Sequence, residues 1–242
     1  AELAQRHNGV FGGCWCTYFH TMHSEKTFDA DDNRSLKRRL VEEGRAHAAL
    51  VYDGDEAVAW AEYGSPEELP NIYHRKQYDE ELDLVPDYRI TCIFVDRRYR
   101  RKGLSAVALQ GALDLISEAG GGVVEGYPHD TQGKMKSVLY NGTRTLFERA
   151  GFTFVRSKGT GNCSQLGFLA PLSLAQRAAV GAASGCVRPA YRARSCCGWR
   201  RTSAGRPADL GRAPGRRAGA SRRRTARTPP RTPRCRRRAR RL

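Results

Sequence analysis

The sequence predicts an α/β fold in which helices flank a sheet that contains at least one parallel connection. The strongest strand signal is Tyr88–Val95, a run rich in β-branched and aromatic residues. Apolar residues then recur every three or four positions over residues 104–119, as in an amphipathic helix, and three glycines end the pattern. Because strands and helices alternate from residue 88 to residue 155, we expect a strand–helix–strand crossover.

The charge of the chain is divided very unevenly. Its 242 residues carry 42 Lys and Arg against 25 Asp and Glu, a formal net charge of +17. Residues 171–242 contain 21 Arg and one acidic residue, Asp209, whereas residues 1–170 contain 21 basic and 24 acidic residues, a net charge of −3. We therefore predict one folded domain over residues 1–170 and a disordered tail rich in Arg, Ala, Gly and Pro over residues 171–242.

The tail has three interpretations. Its arginine runs would bind nucleic acid through counterion release, without sequence preference. It could also be an inert extension, or a frameshift product that begins near Cys163, because residues with G/C-rich codons are enriched in it. The frameshift is favoured because the apolar pattern of a last strand is lost around Ser164, although residues 166–169 could still pair in its place.

Several classes of protein are disfavoured. No segment approaches the roughly 20 consecutive apolar residues of a membrane span, so we expect no membrane contact. The first residues contain no apolar segment of the secretory kind. Eight cysteines, four of them in the tail, are too sparse for a disulfide scaffold. These features predict a cytoplasmic protein, and they give no indication of its oligomeric state.

The other elements follow from turn residues and local periodicity. Before Tyr88 the predicted elements are a strand within residues 9–19, a helix capped by residues 31–33 and ended by Gly44, strands over residues 46–52 and 57–63, and a short helix near residues 73–82. After the long helix they are a strand over residues 123–127, a helix capped by Asn141 and ended by Gly151, and a strand over residues 152–155.

The most informative segment joins the long strand to the long helix. Five of the six residues from 97 to 102 are cationic, although the dipole of a helix N-terminus makes each cation there unfavourable by about 0.3–1 kcal/mol. The arrangement makes sense if an anion binds there to backbone N–H groups and basic side chains together. Gly103 and the small Ser105 would allow a close approach. The alternative is a run of solvated loop charges.

The motif Arg100-x-x-Gly103-x-Ser105 resembles the acetyl-CoA pyrophosphate loop of the GNAT acetyltransferase superfamily. The family pattern is Gln/Arg-x-x-Gly-x-Gly/Ala, so Ser105 departs from it while keeping the side chain small. Residues 90–95 resemble the central strand of the family, and residues 146–152 resemble its late helix with the Gly-Phe ending. The resemblance covers about residues 5–163 and implies a mixed, mostly antiparallel sheet flanked by helices.

The resemblance also implies an activity, the transfer of an acetyl group from acetyl-CoA to a small-molecule or peptide amine. The net charge of −3 slightly favours a cationic acceptor. Backbone groups of Phe94 and Val95 would pair with the pantetheine arm, the N–H groups of residues 101–105 would hold the pyrophosphate, and Arg98, Arg100 and Lys102 would face the other phosphates. The implied coenzyme-binding residues are Phe94, Val95, Arg100, Arg101, Lys102, Gly103, Leu104 and Ser105. The Gly-Lys-Ser/Thr ending of a P-loop, with its magnesium ligand, is missing.

The catalytic residues are not fixed by the sequence. In many members of the family a tyrosine four residues before the glycine of the late helix protonates the leaving thiolate, but Phe147 stands there and cannot donate a proton. Tyr140 is a candidate for this acid, and the alternative is that its side chain has only a packing role. Glu62, Asp87 and Glu125 are candidate bases, each with the alternative of a solvated carboxylate.

Two weaker patterns have mainly structural interpretations. Cys14-x-Cys16, together with nearby histidines, suggests a zinc site. Structural zinc sites more often separate their cysteines by two to four residues. We therefore favour cysteines that are buried as small side chains, and we predict no metal. The histidines concerned are His7, His20 and His23. Cys92 is a candidate nucleophile or, more simply, a packed thiol.

A long polar loop supplies three further candidates for a substrate pocket, Tyr73, His74 and Tyr78. The rival to the acetyltransferase function is a catalytically degenerate domain whose Arg-rich tail binds nucleic acid non-specifically.

Overall fold

The computed structural model describes residues 1–128, 140–158, 165–172 and 192–195. The strands are β1 (His47–Asp53), β2 (Glu56–Gly64), β3 (Tyr88–Val95), β4 (Gly122–Gly126), β5 (Thr153–Lys158), β6 (Gln165–Leu172) and β7 (Arg192–Ser195). The helices are α1 (Glu2–Arg6), α2 (Ala30–Glu42), α3 (Arg75–Glu80), α4 (Leu104–Glu118) and α5 (Arg144–Arg149). The strands form one sheet in the order β5-β6-β4-β3-β2-β1-β7.

The sheet is mixed and mostly antiparallel. Among the described strands, β3 and β4 are the one parallel pair, and α4 makes the crossover between them. All other neighbouring strands are antiparallel. The predicted fold class, including its parallel strand–helix–strand unit, is confirmed.

The main core lies between α4 and the middle of the sheet. Leu104, Ala108, Ala112 and Ile116 are spaced four residues apart along α4 and are all buried, because this face of the helix packs on β1, β2 and β3. Full burial of a side chain such as Ile116 contributes about 1.5–3 kcal/mol. This packing fixes the start of α4, and with it the basic segment, relative to the end of β3.

The predicted first strand is wrong, because residues 9–19 form successive tight turns. Five non-glycine residues near this segment have φ angles between 43° and 52°, namely Asn8, Val10, Phe11, Trp15 and Cys16. These left-handed angles are incompatible with an extended strand, and they are rare for a β-branched residue such as Val10. Val10 is buried, so packing offsets its backbone strain. Strain of this kind often occurs at functional sites.

Replacing Gly13 with alanine is expected to lower the free energy of unfolding by about 2–4 kcal/mol. Gly13 has a φ of +89°, and a Cβ added there would lie 2.7 Å from the Cβ of Ala30 at the start of α2. Gly44→Ala is the matched control, because Gly44 has a φ of +70° but no atom within 4 Å of the added Cβ. Urea denaturation of both variants measures the difference, and equal losses would contradict the steric argument.

Two helices begin close to, but not at, the predicted capping residues. The carboxylate of Asp29 caps α2 by accepting hydrogen bonds from two N–H groups of its first turn, so the predicted caps at residues 31–33 lie inside the helix. Thr143 caps α5. The predicted cap, Asn141, is buried and instead donates a hydrogen bond to the carbonyl of Tyr127.

The C-terminal strands complete the sheet. Gly151, with a φ of +88°, follows the end of α5 as predicted. Phe152 lies next, with its ring edge-on to Phe147 at 5.0 Å and its N–H donating to the Phe147 carbonyl. β6 pairs with both β5 and β4, so the residues after Ser164 do provide a last strand. β7, within the predicted disordered tail, pairs with β1. Residues 173–191 and 196–242 of that tail lie outside the described residues.

Candidate active site

β3 leaves part of one edge without a neighbouring strand. β4 pairs with it only from Tyr88 to Ile90, and no described strand lies on that side from Thr91 to Val95. The other edge stays paired with β2 as far as Val95. The backbone of Phe94 and Val95, predicted to pair with an extended ligand, therefore lies where an added strand could bind.

The predicted anion loop has a backbone suited to an anion. Arg101 and Gly103 have φ angles of +64° and +76°, and turns with such left-handed residues gather N–H groups into a concave surface. Among the described residues, none accepts a hydrogen bond from the N–H of Gly103, Leu104 or Ser105. A Cβ added to Gly103 would meet no atom within 4 Å, so the space beside these N–H groups is not filled by the described chain.

The cations of this segment fall into two groups. Arg98 forms ion pairs with Glu56 and, at 2.9 Å, with Asp96. Its hydrogen bonds hold the pKa of the Asp96 carboxyl well below the ordinary value. Arg97 and the cations at residues 100–102 are exposed, and no described carboxylate forms an ion pair with them. Arg98 is thus engaged within the protein. The loop cations Arg100 and Arg101 are exposed, and so is Lys102, whose Nζ lies 4.8 Å from the centroid of the Tyr99 ring.

Two cavities meet next to β3. The smaller cavity, of about 330 Å³, is lined by Phe94 of the strand and Arg100 of the loop, two of the residues that the sequence predicts to bind a coenzyme. The aromatic cavity, of about 420 Å³, is lined by six aromatic side chains, Phe11, Tyr18, Phe19, Phe28, Tyr73 and Tyr140. Phe11 and Gly12 line both cavities. The left-handed turns of residues 8–16 therefore lie between the two cavities and form part of the wall of each.

The tyrosines of the aromatic cavity contact one another closely. Tyr18 stacks on Tyr73 with ring centroids 5.1 Å apart and an interplanar angle of 22°. The hydroxyl oxygens of Tyr73 and Tyr140 lie 2.8 Å apart, within hydrogen-bond distance. Burial raises the pKa of Tyr73, so its phenol stays protonated at neutral pH. Phe147, by contrast, is fully buried in the main core.

Glu62 is unsuited to act as a base. Its carboxylate is buried on β2, where it accepts hydrogen bonds from Lys37 at 2.5 Å and from the hydroxyl of Thr91 at 2.8 Å, and it lies 3.4 Å from His20. Burial alone would raise the pKa of Glu62, but the charge of Lys37 and the hydrogen bond to His20 outweigh it and hold the pKa at about 2. A carboxylate with so low a pKa accepts protons poorly at neutral pH.

The other two candidate bases are engaged in structural hydrogen bonds. Glu125 is buried on β4 and accepts from the hydroxyls of Tyr78 at 2.8 Å and Tyr127 at 2.7 Å, and from Arg156 at 3.0 Å. Asp87 accepts from the backbone N–H of the second residue of β4 at 2.7 Å. Neither carboxylate lines the smaller cavity or the aromatic cavity.

Two of the described cysteines, Cys16 and Cys92, pack against each other. In the described part of the chain, no group of three or more His, Cys, Asp or Glu side chains is placed to hold a metal ion. Cys16 and Cys92 are both buried, with their sulfur atoms 3.1 Å apart. The hydrogen bond to Cys92, together with burial, raises the pKa of Cys16 well above the ordinary value. The packed-thiol interpretation of Cys92 fits this arrangement better than a nucleophilic one.

Of the three loop residues proposed to line a pocket, only Tyr73 lines the aromatic cavity. Tyr78 lies in the buried hydrogen-bond group around Glu125, and His74 precedes α3 with a φ of +54°. Sequence reasoning missed Phe11, Tyr18 and Phe28 as cavity residues. For Phe11 and Tyr18 the available signal was the density of glycine and aromatic residues over residues 9–19, which suggested a strand instead.

Comparisons with known proteins were made at three levels. No protein-family model matches the chain, and no curated protein matches it. Among solved structures, a protein described as an acetyltransferase of the GNAT family, from Desulfovibrio desulfuricans, is 16% identical over 70% of this chain and 91% of its own, with a TM-score of 0.43. An N-acetyltransferase from Staphylococcus aureus is 13% identical over 70% and 94%, with a TM-score of 0.43.

A third solved structure is the ribosomal-protein-S18-alanine N-acetyltransferase of Escherichia coli. It is 15% identical over 52% of this chain and 70% of its own, with a TM-score of 0.33. All three are described as acetyltransferases.

Proposed function

We propose that this protein is a GNAT-type N-acetyltransferase that moves an acetyl group from acetyl-CoA to an amine. The observation that carries the proposal is the meeting of two cavities beside the unpaired edge of β3. One is lined by Phe94 of β3 and by Arg100, at the start of the loop whose N–H groups and cations suit a diphosphate, and the other is an aromatic cavity that suits an acceptor. Phe11 and Gly12 line both cavities, as a transfer between two bound substrates requires.

The chain offers each part of the coenzyme a matching group. The N–H groups of residues 101–105 and the cations Arg100, Arg101 and Lys102 would hold the pyrophosphate and neighbouring phosphates. The edge of β3 at Phe94 and Val95 would pair with the amides of the pantetheine arm. These are the predicted coenzyme residues, and they remain a proposal that a binding measurement can test.

The reaction needs only one proton donor beyond solvent. The amine nitrogen forms a bond to the acetyl carbon, the thioester C–S bond breaks, and the sulfur leaves with the electron pair. Tyr140 would give that sulfur a proton, and the surplus proton of the amine would pass to water, from which Tyr140 is reprotonated. Its hydrogen bond with Tyr73 fixes the position of the Tyr140 hydroxyl.

Isothermal titration with acetyl-CoA tests the first half of this proposal. We expect one site per chain and affinity that falls as the salt concentration rises, because phosphate–cation contacts are screened. Release of free CoA thiol in the presence of a panel of amines tests the second half. Absence of acetyl-CoA binding would refute the proposal, and so would binding without acetylation of any amine in a broad panel.

Replacing Tyr140 with phenylalanine is expected to lower kcat about 10- to 100-fold while leaving the affinity for acetyl-CoA within about threefold of the original. The physical reason is that phenylalanine keeps the ring in the aromatic cavity but removes the proton donor. Tyr52→Phe on β1 is the matched control, since Tyr52 lines neither cavity. An unchanged kcat would show that Tyr140 is not the acid.

The rival nucleic-acid function has no support in the described residues, since most of the arginine-rich tail lies outside them. Within the described ranges, the helices lack the combination of length and apolarity that crossing a bilayer requires. A cytoplasmic location stays a prediction from the sequence.

A further inference from the structure

The aromatic cavity contains one charged side chain. Among the described residues that line it, Lys26 is the only one that bears a charge at neutral pH. Its Nζ lies 3.3 Å from the centroid of the Tyr18 ring, where the electron-rich face of the ring attracts a cation. Lys26 is half-buried at this position, so part of its hydration is lost.

No described carboxylate compensates the charge of Lys26. The ion pairs of the described residues do not include it, and burial lowers the pKa of its ammonium. A partly desolvated cation that lacks an anionic partner is unfavourable, and a ligand that supplies an anion would relieve that cost. The cavity therefore favours a ligand with a negatively charged group near Lys26.

The other polar side chains of the wall are bonded within the protein. The hydroxyl of Thr17 donates to the side-chain oxygen of Asn33 at 2.7 Å, and that of Thr21 donates to the Thr17 carbonyl at 3.2 Å. The hydroxyl of Thr27 donates to the carboxylate of Asp32 at 3.3 Å. The polar recognition of a ligand in this cavity thus falls mainly to Lys26.

The apolar part of the cavity suits an aromatic ligand. Phe28 lines the cavity and yet is 92% exposed, and Phe11 is 49% exposed. Large apolar side chains exposed at a cavity mouth mark a binding surface, and rings of this kind gain energy from offset or edge-on contact with a second aromatic ring. The volume of about 420 Å³ lies within the range of small-molecule sites, roughly 300–1,000 Å³.

We propose that the aromatic cavity is the acceptor site and that it selects an aromatic amine bearing a carboxylate, whose carboxylate pairs with Lys26 while its ring packs among Phe11, Tyr18 and Phe28. This inference rests on the proposed function, because it names the acceptor class of the same reaction. It differs from the cationic acceptor that the net charge of −3 favoured. The local charge of the cavity is positive, and local charge decides a contact at this distance.

Binding of three amines to the full chain without acetyl-CoA tests the proposal. L-Phenylalanine has the ring and the carboxylate, phenethylamine lacks the carboxylate, and L-alanine lacks the ring. By isothermal titration we expect phenylalanine to bind about 10-fold more tightly than phenethylamine, the typical effect of one ion pair in a partly desolvated site, and alanine to bind more weakly still. Equal affinity for phenylalanine and phenethylamine, or for phenylalanine and alanine, would overturn it.

Variants of Lys26 separate its charge from its bulk. Lys26→Met should abolish the preference for phenylalanine over phenethylamine, and Lys26→Arg should keep it, because the arginine retains the cation. Lys76→Met on α3, which removes a cation exposed outside both cavities, is the control. A preference that survives in Lys26→Met would refute the role of Lys26.

Failure of this proposal can be told from failure of the proposed function. If phenylalanine binds with the expected preference but neither it nor any other amine of the panel is acetylated in the presence of acetyl-CoA, the acetyltransferase function is wrong and the preference of the cavity for an aromatic carboxylate stands. If alanine is acetylated as efficiently as phenylalanine, the function stands and the acceptor class is wrong.

Discussion

Replacing Arg100, Arg101 and Lys102 together with glutamine is expected to weaken acetyl-CoA binding about 100-fold, a loss of about 2.7 kcal/mol. These three cations are exposed and have no ion pair with a described carboxylate, so their removal should cost the fold little. In the wild type, each of these cations would contribute a charge-assisted contact to a phosphate of acetyl-CoA. Isothermal titration at two salt concentrations measures the effect, and the variant should also lose most of the salt dependence.

The control removes the same amount of charge elsewhere. Arg38, Arg39 and Lys76 are exposed on α2 and α3, where each lies near a carboxylate four residues later in the sequence. Replacing these three with glutamine should leave the affinity for acetyl-CoA nearly unchanged, because such surface pairs contribute little. If both triple variants bind acetyl-CoA equally, the loop cations do not hold the coenzyme.

The backbone of the loop can be tested separately from its charge. Gly103→Asn should retain most of the affinity, because asparagine tolerates a φ of +76°. Gly103→Val should bind much more weakly, because a β-branched residue shifts that backbone and moves the N–H groups that follow. Steric contact does not explain such a difference, since a Cβ at Gly103 meets no atom within 4 Å.

The sheet could be predicted from the sequence where periodicity and turn residues agreed. The bounds of β3 were predicted without error, and α4 ends one residue before the predicted end. The hairpin between β1 and β2 follows from the turn at residues 53–55. The segment over residues 9–19 was mispredicted because alternation of apolar residues also arises in tight left-handed turns, which local propensity does not distinguish from a strand.

The two parts of the candidate site also differ in how well the sequence predicts them. Charge, glycine and helix position indicated the loop at residues 100–105, because all three are local properties of the chain. The aromatic cavity joins residues that are distant in the sequence, from the turns of residues 11–21, the segment before α2 and Asn33 within it, the loop before α3, Cys92 of β3, and Tyr140. Only the folded sheet brings them together. The environment of Glu62 likewise depends on Lys37 and His20, which lie far from it in sequence.

Replacing Glu62 with glutamine is expected to lower the free energy of unfolding by about 3–5 kcal/mol, because it leaves Lys37, whose side chain is only 20% exposed, with no anionic partner among the described residues. The carboxylate of Glu62 also accepts from the hydroxyl of Thr91, so the substitution disturbs more than one pair. Glu42→Gln is the matched control. It makes the same chemical change in the exposed pair with Arg38, where we expect a loss below about 0.5 kcal/mol.

The same carboxylate should make the protein acid-sensitive. The pKa of Glu62 is about 2 in the folded protein, against an ordinary value of about 4.3 in an unfolded chain. A depressed pKa contributes stability above the unfolded value, and that contribution is lost as the pH falls from about 5 toward 2. Two pKa units correspond to about 3 kcal/mol, so urea midpoints should fall steeply over this interval in the wild type and less in Glu62→Gln.

A double-mutant cycle with Lys37→Met decides whether the pair itself is responsible. If the stability of Glu62→Gln is limited by the uncompensated ammonium, then removing that ammonium as well should recover part of the loss, with a coupling energy of about 1–3 kcal/mol. Additive losses would mean that Glu62 acts through Thr91 and the surrounding packing rather than through Lys37. A loss in Glu62→Gln no larger than in Glu42→Gln would mean that the carboxylate is not held as a buried ion pair, and Glu62 would again be a candidate base.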